Sequence, residues 1–190
     1  MNKIRVMLVE GDYYWQKLLC IRLKLELDIE VIHIAATKEE AVEAARSMTP
    51  DIILMDIRLS QQEHDGLEAA KEISRMQGNK SKIIVLTSLA ETDVILKAFQ
   101  HGAVNYLNKA SCLDIVQAIR EAYHGSASIH SDAASIIRNE LRLMALTPME
   151  REVYELYQKG LSKTQISVFL QKSFNTIKTQ IRSIKNKIGR

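Results

Sequence analysis

The stretch VEGDYYW, Val9–Trp15, places two acidic side chains directly after an apolar run. Because Gly11 separates Glu10 from Asp12, the stretch could form a pocket for a divalent cation, a damaged pocket of that kind, or a polar turn. Further polar side chains follow later apolar runs, and these are Asp56, Thr87, Ser88 and Lys109. Polar groups that gather after buried strands indicate a functional site.

Five short apolar runs alternate with amphipathic stretches over residues 1–125. They are rich in Val, Ile and Leu without strict alternation, which is typical of strands covered on both faces. The predicted strands are IRVMLV (4–9), EVIHIA (30–35), DIILMD (51–56), KIIVLT (82–87) and NYL (105–107), with helices at 14–27, 38–48, 66–75, 92–100 and 113–123. This order predicts an α/β fold with a doubly wound, five-stranded parallel sheet, whose site lies beyond the carboxyl ends of the strands.

The remainder of the chain predicts a small all-α helix-turn-helix domain. Thr147–Glu150 has the pattern of a capping box with proline in the first turn. Gly160 ends that helix, Ser162 begins the next, and either Ser173 or Asn175 begins the last. We therefore expect three parts, a sheet domain at 1–125, a helical linker at 126–145 and a helix-turn-helix domain at 146–190.

Charge is distributed unevenly between these parts. Residues 1–140 carry 16 basic and 20 acidic side chains, a net −4, whereas residues 141–190 carry 10 basic and 3 acidic ones, a net +7. The last twenty residues contain six basic side chains and no acidic one. A basic end on an acidic body favours a polyanionic partner, and the alternative is a solvated helix face.

The composition and the cysteines indicate the cellular compartment in which the protein is expected. No window of eighteen residues is continuously apolar, and the N-terminal residues lack the apolar core and cleavage site of a signal peptide. Cys20 and Cys112 form no CxxC pair, and the histidines have no metal-ligand spacing. A cytoplasmic protein without a membrane partner is expected.

Several motifs together resemble a two-component response regulator of the NarL/LuxR type. They are VMLVE, DIILMDIRL, DGLEA, IIVLTS and GAVNYLNKA in the first part, and LTPMEREV, KGLSKTQIS and NTIKTQIRSIKNKIG in the second. The resemblance implies a flavodoxin-like receiver domain followed by a LuxR-type helix-turn-helix domain. It also implies a homodimeric transcriptional regulator whose partners are a sensor histidine kinase, double-stranded DNA and RNA polymerase.

The resemblance gives each polar residue of the expected pocket a role. Asp56 would accept a phosphoryl group, Lys109 and Thr87 would contact that group, and Tyr106 would be an aromatic switch. The implied ligands of Mg²⁺ are Glu10, Asp12, Asp56 and the backbone carbonyl of Arg58. An enzyme is not expected beyond slow autodephosphorylation, because no set of nucleophile, base and orienting group occurs elsewhere.

Three features depart from the family pattern. Gly11 stands where a second adjacent acid is usual, the loop Arg58–Gly66 is longer by two residues, and Ala110 replaces the proline after Lys109. We expect a Mg²⁺ site of lowered affinity, in which Asp12 or a water replaces the missing carboxylate because Gly11 is conformationally free. The alternative is a phosphorylation-independent, dimeric DNA-binding transcription factor with an atypical receiver domain.

The last helix is the candidate recognition helix. By resemblance, Lys178, Thr179 and Arg182 face the bases of DNA. The expected phosphate contacts are Lys163, Asn175, Thr176, Lys185 and Lys187. The family usually continues with a further helix that helps the domains pair. This sequence ends at Arg190, either because the protein is short or because the sequence is trimmed, and in the first case the receiver surface is expected to supply the dimer contact.

The opposite side of this helix should be its buried side. Ile177, Ile181 and Ile184 recur at helical spacing and are predicted to face a small core. The residues expected to complete that core and its cap are Glu150, Val153, Leu156, Ile166, Val168 and Leu170.

Overall fold

The computed structural model describes residues 3–60, 64–78, 80–126 and 128–189. Its contacts divide the chain into two compact units, Met1–Ile136 and Ile137–Arg190. The boundary falls inside helix α6, Ser131–Leu143, which forms most of the predicted linker. The predicted division at residues 125 and 145 therefore stays a prediction.

The first unit is built on a five-stranded parallel sheet of order β2-β1-β3-β4-β5. The strands are β1 Ile4–Val9, β2 Ile29–Ala35, β3 Ile52–Met55, β4 Lys82–Thr87 and β5 Ala103–Asn108. The helices are α1 Tyr13–Lys24, α2 Lys38–Met48, α3 Asp65–Ser74, α4 Thr92–Gln100 and α5 Ile115–His124, the last preceded by a 3₁₀ helix at Lys109–Asp114. The predicted fold class is confirmed.

Burial explains why the central strands read as continuous apolar runs. All four residues of β3 are buried, as are five of the six in β1, because helices cover both faces of the sheet. The register pairs Val9 with Met55 and Thr87 with Asn108. This register brings the residues that follow β1, β3 and β5 to one edge of the sheet.

The second unit contains three complete helices around its own small core. They are α7 Pro148–Gln158, α8 Lys163–Phe169 and α9 Phe174–Ile188. The buried apolar residues of this core are Leu143, Leu146, Val153, Leu156, Ile166, Ile177, Ile181, Ile184 and Ile188. Among the predicted core residues, Leu170 is only half-buried, and Val168 is a wrong prediction because its side chain is 74% exposed. Val168 lies two positions after buried Ile166, which puts it on the other side of α8.

No helix in the described parts of the chain combines the length and the apolar character that crossing a membrane requires.

Candidate functional site

Three charged side chains meet at the carboxyl edge of the sheet. Glu10 follows β1, Asp56 follows β3 and Lys109 follows β5. The Nζ atom of Lys109 lies 2.6 Å from Oε2 of Glu10 and 2.7 Å from Oδ2 of Asp56. All three residues are buried. A single ammonium group therefore bridges two carboxylates away from water.

Backbone groups hold both carboxylates in place. Oε1 of Glu10 accepts a hydrogen bond from the amide of Asp12 at 3.0 Å, and Oδ1 of Asp56 accepts one from the amide of Ile57 at 2.7 Å. The amide of Arg58 makes a longer contact of 3.5 Å with the same Asp56 oxygen. Burial raises the pKa of Glu10, the neighbouring charge of Asp56 raises it further, and the bond from Lys109 opposes both. Two acids and one base make this a cluster with an excess of negative charge.

Trp15 covers the lysine of this cluster. Its ring centroid lies 4.9 Å from Nζ of Lys109, a cation–π distance. Tyr14 packs edge-on against Trp15 at 6.1 Å between centroids. The first turn of α1 thus brings an aromatic side chain over the charged cluster.

Asp12 has a role that the metal hypothesis did not include. It is the N-cap of α1, where its Oδ1 accepts hydrogen bonds from the amides of Tyr14 at 2.8 Å and Trp15 at 3.2 Å. An acid immediately before an amphipathic helix is a common N-cap signal, so the sequence did contain this information. The carboxylate expected to compensate for Gly11 is engaged in starting a helix.

The residues present do not fit the expected magnesium site. Within residues 3–60, 64–78, 80–126 and 128–189, no group of three or more His, Cys, Asp or Glu side chains is arranged to hold a metal ion. Glu10 and Asp56 share Lys109 as their cation, Asp12 caps α1, and Gly11 contributes no carboxylate. The backbone carbonyl of Arg58 has no role that the structure reveals.

The loop after Asp56 is fixed at both described ends. Oδ1 of Asp65 accepts hydrogen bonds from the amides of Leu59 at 2.9 Å and Gly66 at 3.0 Å. The Gly66 amide also donates to the carbonyl of Ile57 at 3.0 Å. A Cβ atom on Gly66 would lie 1.9 Å from the carbonyl oxygen of Asp56, so this position requires glycine.

The predicted switch residues lie on the neighbouring strands. Thr87 ends β4 and is 1% exposed, and Tyr106 in β5 is also 1% exposed. The Tyr106 hydroxyl donates a hydrogen bond to the carbonyl of Leu89. Burial raises the pKa of this phenol, and the charges of Glu91 and Asp132 add to the effect. Tyr106 is thus in the inward orientation, whereas its switching role stays a prediction.

The start of the predicted linker is attached to β5 and to the residues after it. The Asn108 amide donates to Oδ2 of Asp132 at 2.8 Å, and the His130 amide donates to Oδ1 of Asn105 at 2.9 Å. The His130 ring lies 3.2 Å from carboxylate oxygens of both Asp114 and Asp132. No sequence pattern predicts this attachment, because single polar residues in a loop carry no periodic signal.

In the second unit, a buried carboxylate joins α7 to α9. Thr147 and Glu150 form the predicted capping box, with 2.8 Å from the Thr147 amide to Oε2 of Glu150. The same oxygen accepts from Nζ of Lys187 at 2.6 Å, and Oε1 accepts from the Ser183 hydroxyl at 2.6 Å. Lys187, expected to contact DNA phosphate, is therefore paired within the protein.

The opposite face of α9 carries the other predicted DNA contacts. Lys178, Thr179 and Arg182 are all exposed, while Ile177, Ile181, Ile184 and Ile188 are buried. Among the predicted phosphate contacts, Asn175, Thr176 and Lys185 are exposed, and Lys163 on α8 is half-buried. Ser173 is the N-cap of α9, which decides between the two alternatives left open by the sequence.

The family model of the response regulator receiver domain matches residues 6–120. The transcriptional regulatory protein LiaR of Bacillus subtilis (strain 168) is 34% identical over 194 residues, which cover 97% of this chain and 90% of LiaR. A solved LuxR-family two-component response regulator from Aurantimonas sp. SI85-9A1 is 29% identical, with a TM-score of 0.66 over 73% of this chain and 98% of the other.

The fold extends to a second solved protein at lower identity. RcsB from Salmonella enterica serovar Typhimurium, solved bound to a promoter in the presence of the phosphomimetic BeF₃⁻, has a TM-score of 0.65. The identity is 19%, over 99% of this chain and 93% of that chain. The chain belongs to the response regulator family, so the resemblance inferred from its motifs is confirmed. Receiver domains generally bind Mg²⁺ for phosphorylation.

Proposed function

We propose that this chain is a DNA-binding transcriptional regulator of the NarL/LuxR type, in which α9 is the recognition helix. The exposed face of α9 carries the proposal, since Lys178, Thr179 and Arg182 point away from a core that the isoleucines of the same helix fill. Arginine and lysine can bind O6 and N7 of guanine, and a threonine methyl can contact that of thymine. The similarity to LiaR, a transcriptional regulatory protein, supports the same function.

The remaining polar groups would position the helix on the DNA backbone. Asn175, Thr176 and Lys185 are exposed on α9, and Lys163 lies near the start of α8. Such phosphate contacts orient a protein on DNA without reading the DNA sequence. They also make the affinity for DNA fall steeply as the salt concentration rises. One unit of this size offers few contacts, so a cytoplasmic homodimer that reads two half-sites is part of the proposal.

The test is DNA binding by the full chain and its variants. Duplexes selected from a random library would be titrated by fluorescence anisotropy at several salt concentrations. Arg182→Ala should weaken specific binding by about ten- to a hundredfold, whereas Lys159→Ala, which removes an exposed positive charge outside α9, should leave it within about threefold. Equal losses in the two variants would show that α9 does not read the DNA.

Two forms of control by the receiver domain fit this family. In the first, a sensor histidine kinase transfers a phosphoryl group to Asp56, whose carboxylate forms the new O–P bond as the donor's N–P bond breaks. Lys109, 2.7 Å from Asp56, and buried Thr87 favour it because an ammonium and a hydroxyl can stabilise phosphoryl oxygens. This form needs the Mg²⁺ site of lowered affinity, and its only enzymatic activity would be slow autodephosphorylation.

In the second form, the receiver domain assembles the dimer without phosphorylation. The geometry around Gly11 and Asp12 supports this form better, because neither residue can supply the missing carboxylate as it stands. Acetyl phosphate with Mg²⁺ distinguishes the two forms, followed by intact mass and DNA affinity. An acyl phosphate that disappears in Asp56→Asn and tightens DNA binding would establish the first form, and unchanged mass and affinity would establish the second.

A further inference from the structure

The backbone of Leu59 occupies the space beside Gly11. A Cβ atom on residue 11 would lie 2.3 Å from the carbonyl oxygen of Leu59 and 3.0 Å from its carbonyl carbon. Both atoms belong to the backbone, so no rotation of a side chain could relieve the contact. A residue with any side chain at position 11 therefore requires the loop after Asp56 to move.

That loop is held where it is by several contacts. The amide of Leu59 donates to Oδ1 of Asp65, and its side chain is 8% exposed. The amide of Gly66 donates to the carbonyl of Ile57 at the other end. Moving the Leu59 carbonyl would disturb these bonds together. The absence of a side chain at position 11 and the position of the Leu59 carbonyl are therefore structurally linked.

We propose that the Leu59 carbonyl has replaced the second acidic side chain of the pocket, and that the ammonium of Lys109 is the pocket's permanent cation in place of Mg²⁺. The inference deepens the second form of control proposed above and rests on the receiver assignment. The ammonium of Lys109 lies within hydrogen-bond distance of both Glu10 and Asp56, and Trp15 covers it. The positive charge between the two carboxylates therefore comes from a side chain of the protein and not from a bound metal ion.

The first test is a titration of the full chain with Mg²⁺ alone, followed by fluorescence. Trp15 is the only tryptophan and lies against the cluster, so it reports on the pocket directly. The wild-type signal should stay flat into the millimolar range. A saturable change that Asp56→Asn abolishes would overturn the proposal.

Removal of the internal cation gives the converse test. Lys109→Met leaves Glu10 and Asp56 buried without a positive partner, so Mg²⁺ should now raise the melting temperature and change the Trp15 emission. Lys97→Met, which removes a half-exposed lysine on α4, is the matched control and should respond as the wild type does. A Lys109→Met protein that folds and ignores Mg²⁺ would show that the lysine does not replace the metal.

The steric part of the proposal has its own variants, which keep it testable if Lys109→Met does not fold. Gly11→Ala should lower the melting temperature by about 5 °C or more, and Gly11→Asp should restore no Mg²⁺ response. Gly78→Ala is the control, because a Cβ there meets nothing within 4 Å and reports only the cost of a positive φ of 79°. Gly11→Asp with wild-type stability and saturable Mg²⁺ binding would refute the role of Leu59.

DNA affinity measured on the same proteins separates this inference from the assignment of α9. Gly11→Ala leaves the exposed face of α9 unchanged. A wild-type protein that binds DNA through Arg182 and also binds Mg²⁺ would overturn the inference alone. If the wild-type protein does not respond to Mg²⁺ and Arg182→Ala binds DNA as tightly as the wild type, only the proposed function of α9 is overturned.

Discussion

Replacing Glu150 by glutamine should loosen α9 from α7, because this carboxylate is the acceptor that both helices share. Its pKa lies at about 2, against an ordinary 4.5, since Lys187 first, then Ser183 and the Thr147 amide, bind the charged form. Each pH unit by which a pKa moves corresponds to about 1.4 kcal/mol, so the contacts would contribute about 3 kcal/mol if water were excluded. Because the Lys187 side chain is 37% exposed, screening reduces this to about 2 kcal/mol.

The pH dependence has a defined sign. A carboxyl group with a lowered pKa in the folded state stabilises the fold above its unfolded value of 4.5, and this stabilisation is lost as the pH falls toward about 2. Glu150→Gln should therefore lower the stability of the second unit at pH 7 and remove this group's pH dependence between those two values. For a unit of this size, the loss corresponds to roughly 8 °C or more in melting temperature.

Hydrogen exchange measured by mass spectrometry assigns the effect to the correct unit. The amides of α7 and α9 should exchange faster in Glu150→Gln at pH 7, while Trp15 fluorescence reports an unchanged first unit. Glu152→Gln, an exposed position on the same helix, should behave as the wild type. Equal exchange in Glu150→Gln and Glu152→Gln, or a wild-type stability of the second unit that is constant from pH 4.5 down to 2, would refute this role of Glu150.

Two further contacts make separate predictions. Arg120→Ala should lower the melting temperature of the first unit by a few degrees, because the Arg120 guanidinium is bidentate to Asp28 at 2.6 and 2.8 Å. In a thermal melt, Arg120→Lys should recover only part of this loss, since lysine lacks the planar guanidinium. Asp132→Ala should raise the exchange rate of the Asn108 amide by about tenfold or more, with Ser135→Ala on the same helix as the control, and equal protection in both would contradict the attachment of the linker to β5.

The order of elements and the positions of strands could be predicted because burial alone determines them. The apolar runs at 4–9 and 82–87 match β1 and β4 to the residue. Helix ends were less predictable. Residues up to Leu27 continue the helical pattern, yet α1 ends at Lys24, and the stretch Lys109–Asp114 forms a 3₁₀ turn before α5. Local hydrogen bonds decide where a helix ends, and their energies differ too little to be visible in the spacing of apolar residues.

The site was predictable in its members and less so in its contacts. Glu10, Asp56 and Lys109 follow neighbouring strands, so their meeting at one edge of the sheet follows from topology. Two contacts were not predictable, namely the bridge of one ammonium between both acids and the pairing of Lys187 with Glu150. Both depend on distances between elements far apart in sequence. No pattern within one element contains that information.

The two glycines that border the charged cluster, Gly11 and Gly66, differ in how easily a second mutation could compensate for their replacement. At Gly66 the obstacle is the carbonyl of Asp56, at the end of a buried central strand, so a second mutation has little room to compensate. At Gly11 the obstacle is a loop, and loops tolerate changes of length. A genetic screen should therefore recover intragenic suppressors of Gly11→Ala among deletions between Leu59 and Asp65, while substitutions of Gly66 should yield none there.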